Sequence, residues 1–221
     1  MKHLLILLFL LTLARPASSQ DIWEPAMQAF EALDAANTYP PESIFFTGSS
    51  SIVLWKTVAR DMAPYPVIHR GFGGSNMTDV LRYADRYIKK HTFGSMVVFV
   101  ANDIVGNPAS DKTPEQVRDL FRDFILKVRS YNATAPIFII AITPTNSRWA
   151  VWPQIRQANN LLVQLTDEHK GVIFIPTEDL FLGADGKPKS ELFVSDQLHM
   201  SPAGYALWSK RVRSYVEATL R

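Results

Sequence analysis

Three consecutive serines follow a glycine at Gly48-Ser49-Ser50-Ser51, directly after the apolar run Ile44 to Phe46. The order reads as a strand that turns through glycine into a helix over about Ser51 to Ala59. A helix N-terminus carries unpaired N–H groups and a partial positive charge. A serine held there can attack a carbonyl while neighbouring amides hold the oxygen that becomes negative. Serines after a glycine also serve as helix caps, and Ser49, Ser50 and Ser51 all remain open as the attacking residue.

A serine nucleophile needs a base, most often histidine. His69 ends a short apolar run, while His91 and His169 sit beside charged residues at helix ends and read as surface residues. His199 differs, because Asp196 lies three positions before it in Asp196-Gln197-Leu198-His199. In a single turn, positions i and i+3 can face the same way. The carboxylate can then fix one ring nitrogen and leave the other for a serine. Donors for the oxyanion are offered by the N–H of Gly74, the side-chain amide of Asn102 and the N–H of Ser50. Asp103 is expected to cap a helix or turn.

Positioning these groups requires a regular scaffold. Residues 21–36 have helical spacing at Trp23, Met27, Phe30 and Leu33, read as core, with Asp21 as the expected cap. Strands are expected at Ile44–Thr47, Pro66–His69, Met96–Val100, Ile137–Ile142 and Val172–Ile175. Helices are expected over 77–90, after the capping box Thr113-Pro114-Glu115-Gln116, over 154–169, and from Ser201-Pro202 to about Leu220. The near-continuous apolar strands suit a parallel sheet covered on both faces. Strands alternate with helices, so the fold class is α/β: a single doubly wound, flavodoxin-like parallel sheet of five strands flanked by helices. Sites in such folds lie at the carboxyl ends of the strands, which is where Ser50, Gly74 and Asn102 fall.

The first residues read as a targeting segment. Lys2 and His3 precede the apolar run Leu4 to Leu13, and Ala17-Ser18-Ser19 offers small residues for cleavage. A signal peptide is expected over 1–19 and one domain over 20–221, secreted or periplasmic, with no integral membrane span after cleavage. The 23 basic residues fall to 21, against 21 acids, once Lys2 and Arg15 are removed. With no basic cluster, nucleic acid is not an expected partner. The chain has no cysteine, which excludes disulfides and a thiol nucleophile. The glycine turn Arg70-Gly71-Phe72-Gly73-Gly74 does not complete a dinucleotide pattern, because Asn76 stands where its third glycine belongs. Asn76-Met77-Thr78 and Asn132-Ala133-Thr134 have the form of glycosylation acceptors.

Taken together, these blocks resemble those of the SGNH, or GDSL-like, hydrolase superfamily over roughly residues 42–210. Gly48-Ser49-Ser50-Ser51 is similar to the first block, with Ser50 at the nucleophile position and Trp55 supporting that register. Gly73-Gly74 is similar to the second, and Ala101-Asn102-Asp103 to the end of the third. Asp196-Gln197-Leu198-His199 is similar to the last. Secreted and periplasmic members also share the Arg148-Trp149 loop and Asn159. Ser49 replaces the usual aspartate, and Val100 stands where glycine is usual. The resemblance implies a carboxylic ester hydrolase with Ser50, His199 and Asp196 as its triad and Ser50, Gly74 and Asn102 as its oxyanion donors. It implies no cofactor and no metal. The expected substrate is a small-molecule, carbohydrate or lipid ester with a short acyl group. Arg148, Trp149 and Trp152 are expected to line the pocket, and the chain is expected to be a monomer. A catalytically inactive glycan-binding module and an acyltransferase are the alternatives.

Overall fold

Along the central strands, alternate residues point to opposite faces, and both faces are apolar. The computed structural model describes residues 21–220, so the expected signal peptide lies outside the described residues. The first half of the chain runs α1 (Glu24–Ala36), β1 (Ile44–Gly48), α2 (Ser50–Leu54), α3 (Val58–Asp61), β2 (Val67–Gly71), α4 (Met77–Tyr87) and β3 (Ser95–Phe99). The second half runs α5 (Pro114–Tyr131), β4 (Ile137–Ile140), α6 (Trp152–Glu168), β5 (Val172–Ile175), α7 (Glu178–Phe181) and α8 (Pro202–Leu220), with short 3₁₀ turns at Trp149–Val151 and Ser190–Leu192.

All five strands are parallel, in the order β2-β1-β3-β4-β5. Phe45, Val98 and Ile139 pack with α1, α4, α5 and α6 on one face. Phe46, Val97, Phe99 and Phe138 pack with α2, α3, α7 and α8 on the other. This is the doubly wound arrangement read from the sequence. Its strand order reverses between β1 and β3, and the crevice outside the carboxyl ends at such a reversal is where these folds bind ligands.

Helix α5 starts at the expected capping box: Thr113 accepts the N–H of Gln116 at 3.2 Å and Gln116 accepts that of Thr113 at 2.9 Å. Several expectations need correction. The helix expected over Ser51 to Ala59 is two short helices, broken where Trp55 turns inward and donates to Asp61 at 2.8 Å. Helix α7 falls where no helix is expected. Leu33 is 44% exposed rather than in the core. Asp21 does not occupy the N-cap position, which is Trp23; it accepts the Trp23 N–H and the Tyr83 hydroxyl instead. His91 is not a surface residue: its side chain is 8% exposed, beside Asp34 and against Tyr39 and Phe45.

Candidate active site

Gly48 makes the sharp exit from β1 possible. Its φ of +137° is closed to other residues, and a Cβ there would lie 1.8 Å from the Phe99 carbonyl oxygen. That closeness lets the next N–H, of Ser49, donate to the same Phe99 oxygen at 3.0 Å. Ser49 is thereby buried. Ser50 is the first residue of α2 and stays half-buried at the cleft. Val100, just past the end of β3, packs in the core and does not border the cleft.

The Asp196–His199 turn forms just before α8. Val194 donates its N–H to the His199 carbonyl at 2.8 Å, and Gln197 takes a φ of +54° to close the turn. Asp196 Oδ1 accepts the N–H groups of Leu198 and His199, each at 2.9 Å. Its Oδ2 lies 2.6 Å from His199 Nδ1, and His199 Nε2 lies 2.9 Å from Ser50 Oγ. A carboxylate accepting from Nδ1–H leaves Nε2 bare, so the serine hydroxyl donates to it. The His199 N–H, ahead of the imidazole and the Leu198 N–H, holds the Asp196 carboxyl down at about 2.

Two contacts tie this turn to the serine. Tyr205, in the first turn of α8, donates its hydroxyl to the Ser51 carbonyl at 2.8 Å. Trp208, one turn on, is fully buried against Trp55, with ring centres 5.1 Å apart. The helix that follows His199 is therefore tied to Ser51 and to Trp55, the residue that closes the helix beginning at Ser50.

The expected oxyanion donors gather at the same edge. Gly74 has φ +83°, and an added Cβ on the adjacent Gly73 would lie 3.9 Å from Ser50 Cβ. Among the described residues, the N–H groups of Ser50 and Gly74 donate to nothing. Asn102 donates from Nδ2 to the Ser75 carbonyl at 2.9 Å and accepts at Oδ1 from Arg148 Nη2 at 2.6 Å. Asp103 points away from the cleft and accepts the N–H of Met77 at 3.1 Å, at the first residue of α4, as a capping carboxylate does. Burial pushes its carboxyl up to about 6.

A cleft of about 20 Å³ is bordered by Ser50, Phe99, Asn102, Arg148, Leu198 and His199 among others. Of the three residues expected to line the pocket, the structure places Arg148 there and not the tryptophans. Trp152, the first residue of α6, is buried in the core, and Trp149 stacks on it at 6.1 Å with Lys187 above. Beyond His199 the surface opens into a groove of about 650 Å³, lined by Leu54, Val194, Pro202 and Ala206 and by Lys56 and Arg60 among others. His69, in the middle of β2, is turned under α2, its Nε2 2.6 Å from the Ile52 carbonyl, and takes no part in the cleft. Among the described residues no group of three His, Asp or Glu side chains could hold a metal ion. No described helix is long and apolar enough to cross a membrane.

Sequence reasoning missed Asn146 and Tyr205, and gave Arg148 and Asn159 no structural partner. Asn146 donates to Gln197 Oε1 at 2.7 Å, bracing the turn that carries His199. Asn159 clasps the backbone of Ile142 through both its amide atoms, each at 2.9 Å, at the end of β4. A buried amide on an apolar helix face was a visible signal for Asn159. Asn146 and Tyr205 carried none, since their partners are 51 and 154 positions away.

The chain is a member of the GDSL-like lipase/acylhydrolase family, whose family model matches residues 43–207. Among solved structures it is similar in fold to a protein of Streptococcus pneumonia, at 21% identity and TM-score 0.76, covering 87% of this chain and 92% of that one. A GDSL-like lipase from Bacteroides thetaiotaomicron is 13% identical, with TM-score 0.69 and coverage of 87% and 97%. A mutant form of an acetyl-xylooligosaccharide esterase from Geobacillus Stearmophilus is 12% identical, with TM-score 0.64 and coverage of 79% and 94%. At these identities the likeness carries the fold alone. A search of curated proteins finds no match.

Proposed function

We propose that the protein hydrolyses short-chain carboxylic esters through an acyl-enzyme on Ser50. The observation that carries this reading is the unbroken line of contacts from Ser50 Oγ through His199, at 2.9 Å and 2.6 Å, to Asp196. His199 Nε2 takes the hydroxyl proton as Ser50 Oγ bonds to the ester carbon. The carbonyl oxygen, now negative, is held by the N–H groups of Ser50 and Gly74 and by the free amide hydrogen of Asn102. Asp196 keeps the imidazole in the acting tautomer and stabilises it once it is charged. The imidazolium then returns its proton to the departing alkoxide, and water repeats the sequence to free the acid and restore Ser50.

The geometry also sorts the two halves of the ester. The cleft of about 20 Å³ beside Ser50 has room for little more than one water molecule, which favours an acetyl or similarly small acyl group. The leaving alcohol must lie against the histidine that protonates it. That side opens into the larger groove, so the alcohol is the bulkier partner. The low resemblance to an acetyl-xylooligosaccharide esterase fits this reading. The same reading has the leader over 1–19 removed on export, which N-terminal sequencing of the exported protein would check.

The test is hydrolysis of an aryl acetate. Wild type should turn over, and Ser50→Ala should lose at least about a thousandfold in kcat. Retention of most activity by that variant would overturn the assignment. An intact triad geometry weighs against a purely binding module, and added alcohol acceptors would reveal an acyltransferase.

A further inference from the structure

Arg148 is a charged side chain with no carboxylate partner within bonding distance among the described residues. It leaves the loop after β4 and reaches across to the end of β3. There it donates from Nη1 to the Ala101 carbonyl and from Nη2 to Asn102 Oδ1. Burial lowers the pKa of its guanidinium. A cation in such a place is costly unless its position serves something.

What it touches is the amide read above as an oxyanion donor. A side-chain amide can sit either way round, because its oxygen and nitrogen have the same shape. Here one orientation is excluded. A guanidinium is donor only, so it can face Oδ1 and not the NH₂ group. The Ser75 carbonyl is acceptor only, so it takes one hydrogen of Nδ2, at 2.9 Å. One Nδ2 hydrogen is left without a partner among the described residues, in a side chain that borders the same cleft as Ser50.

We infer that Arg148 is a positioning residue that holds the Asn102 amide in the one orientation leaving an N–H free for the oxyanion. The inference rests on the reading of Asn102 as an oxyanion donor. Arg148 itself touches no reacting atom. Its positive charge also draws electron density toward Oδ1, which makes the opposite N–H a better donor. The same loop braces the other half of the site. Ser147 donates its N–H to the Gln197 carbonyl at 3.1 Å, and Asn146 holds the Gln197 side chain. One loop thus sets both the oxyanion side and the histidine side.

The experiment is a double-mutant cycle read in kcat and KM on an aryl acetate. Asn102→Ala should lower kcat about a hundredfold. Arg148→Ala should lower kcat about tenfold with little change in KM. In the double variant the Arg148 loss should shrink to less than roughly twofold, because a residue acting through Asn102 has nothing left to position. Arg148→Lys serves as the second variant in case the alanine fails to fold. It keeps the charge but lacks the planar fork that reaches two acceptors at once, so its kcat should also fall, and also fail to fall on the Asn102→Ala background. Losses that multiply in the double variant, or wild-type kcat in Arg148→Lys, would overturn the inference. Wild type with no acyl-enzyme step, or Asn102→Ala with full kcat, would instead overturn the reading of the site itself.

Discussion

Two carboxylates near the Ser50 cleft are held in opposite ways by their surroundings. Asp196 is half-exposed and accepts two backbone N–H groups and the imidazole, so its carboxyl titrates at about 2. It stays ionised wherever the chemistry runs, and its contribution to stability is lost as pH falls from its ordinary 3.8 toward that value. Asp103 is 3% exposed, and burial pushes it up to about 6. Over the window from its ordinary 3.8 to about 6, the folded chain keeps a proton that the unfolded chain has lost. Stability at this position therefore declines as pH rises through that window. Asp103→Asn keeps an acceptor for the Met77 N–H and removes the buried charge. We expect its Tm to exceed that of wild type at pH 8 and the difference to shrink toward pH 4, in paired thermal melts. An equal offset at both pH values would contradict the assignment of burial as the cause.

At the scale of elements, the site depends on α2 and α8 being fixed to one another. Ser50 begins one helix and His199 lies just before the other, 149 positions apart in sequence. Trp208 of α8 is buried against Trp55, which closes α2, and against Phe99 at the end of β3, and so joins the two. Trp208→Ala should cost about 3–5 kcal/mol of stability in denaturant unfolding. It should also lower kcat at temperatures where the variant is still folded, because the gap between Nε2 and Oγ loses its support. The three central strands were legible in sequence because both of their faces are buried and apolar, and α5 because Thr113 and Gln116 sit at capping-box spacing. The break between α2 and α3 was not legible. It arises from Trp55 finding a partner in Asp61 and a neighbour on α8, which local periodicity does not report. The site was legible where its chemistry is local, as in Asp196 and His199 three positions apart. It was not legible where a loop acts across the fold, as Arg148 does on Asn102, 46 positions away.

For the whole molecule, the reversal of strand order between β1 and β3 explains why these groups converge. Ser50 leaves β1 and Asn102 follows β3, on neighbouring strands that part company at their carboxyl ends. Helix α8 covers the adjacent face and delivers His199 to the same edge. The result is a narrow slot beside Ser50 and Asn102 and an open groove of about 650 Å³ beyond His199. Activity should therefore fall with acyl length while tolerating size in the alcohol. In a series of acetyl, butyryl and octanoyl aryl esters, kcat/KM should be highest for acetyl. An octanoyl optimum would contradict the placement of the acyl group in the slot.

The most direct measurement is covalent labelling with a fluorophosphonate, followed by mass mapping of the modified peptide. We predict a single phosphonyl adduct on Ser50, absent in Ser50→Ala and formed far more slowly in His199→Ala. A label on Ser49 or Ser51, or labelling of Ser50 at an unchanged rate without the imidazole, would contradict the assignment of this triad.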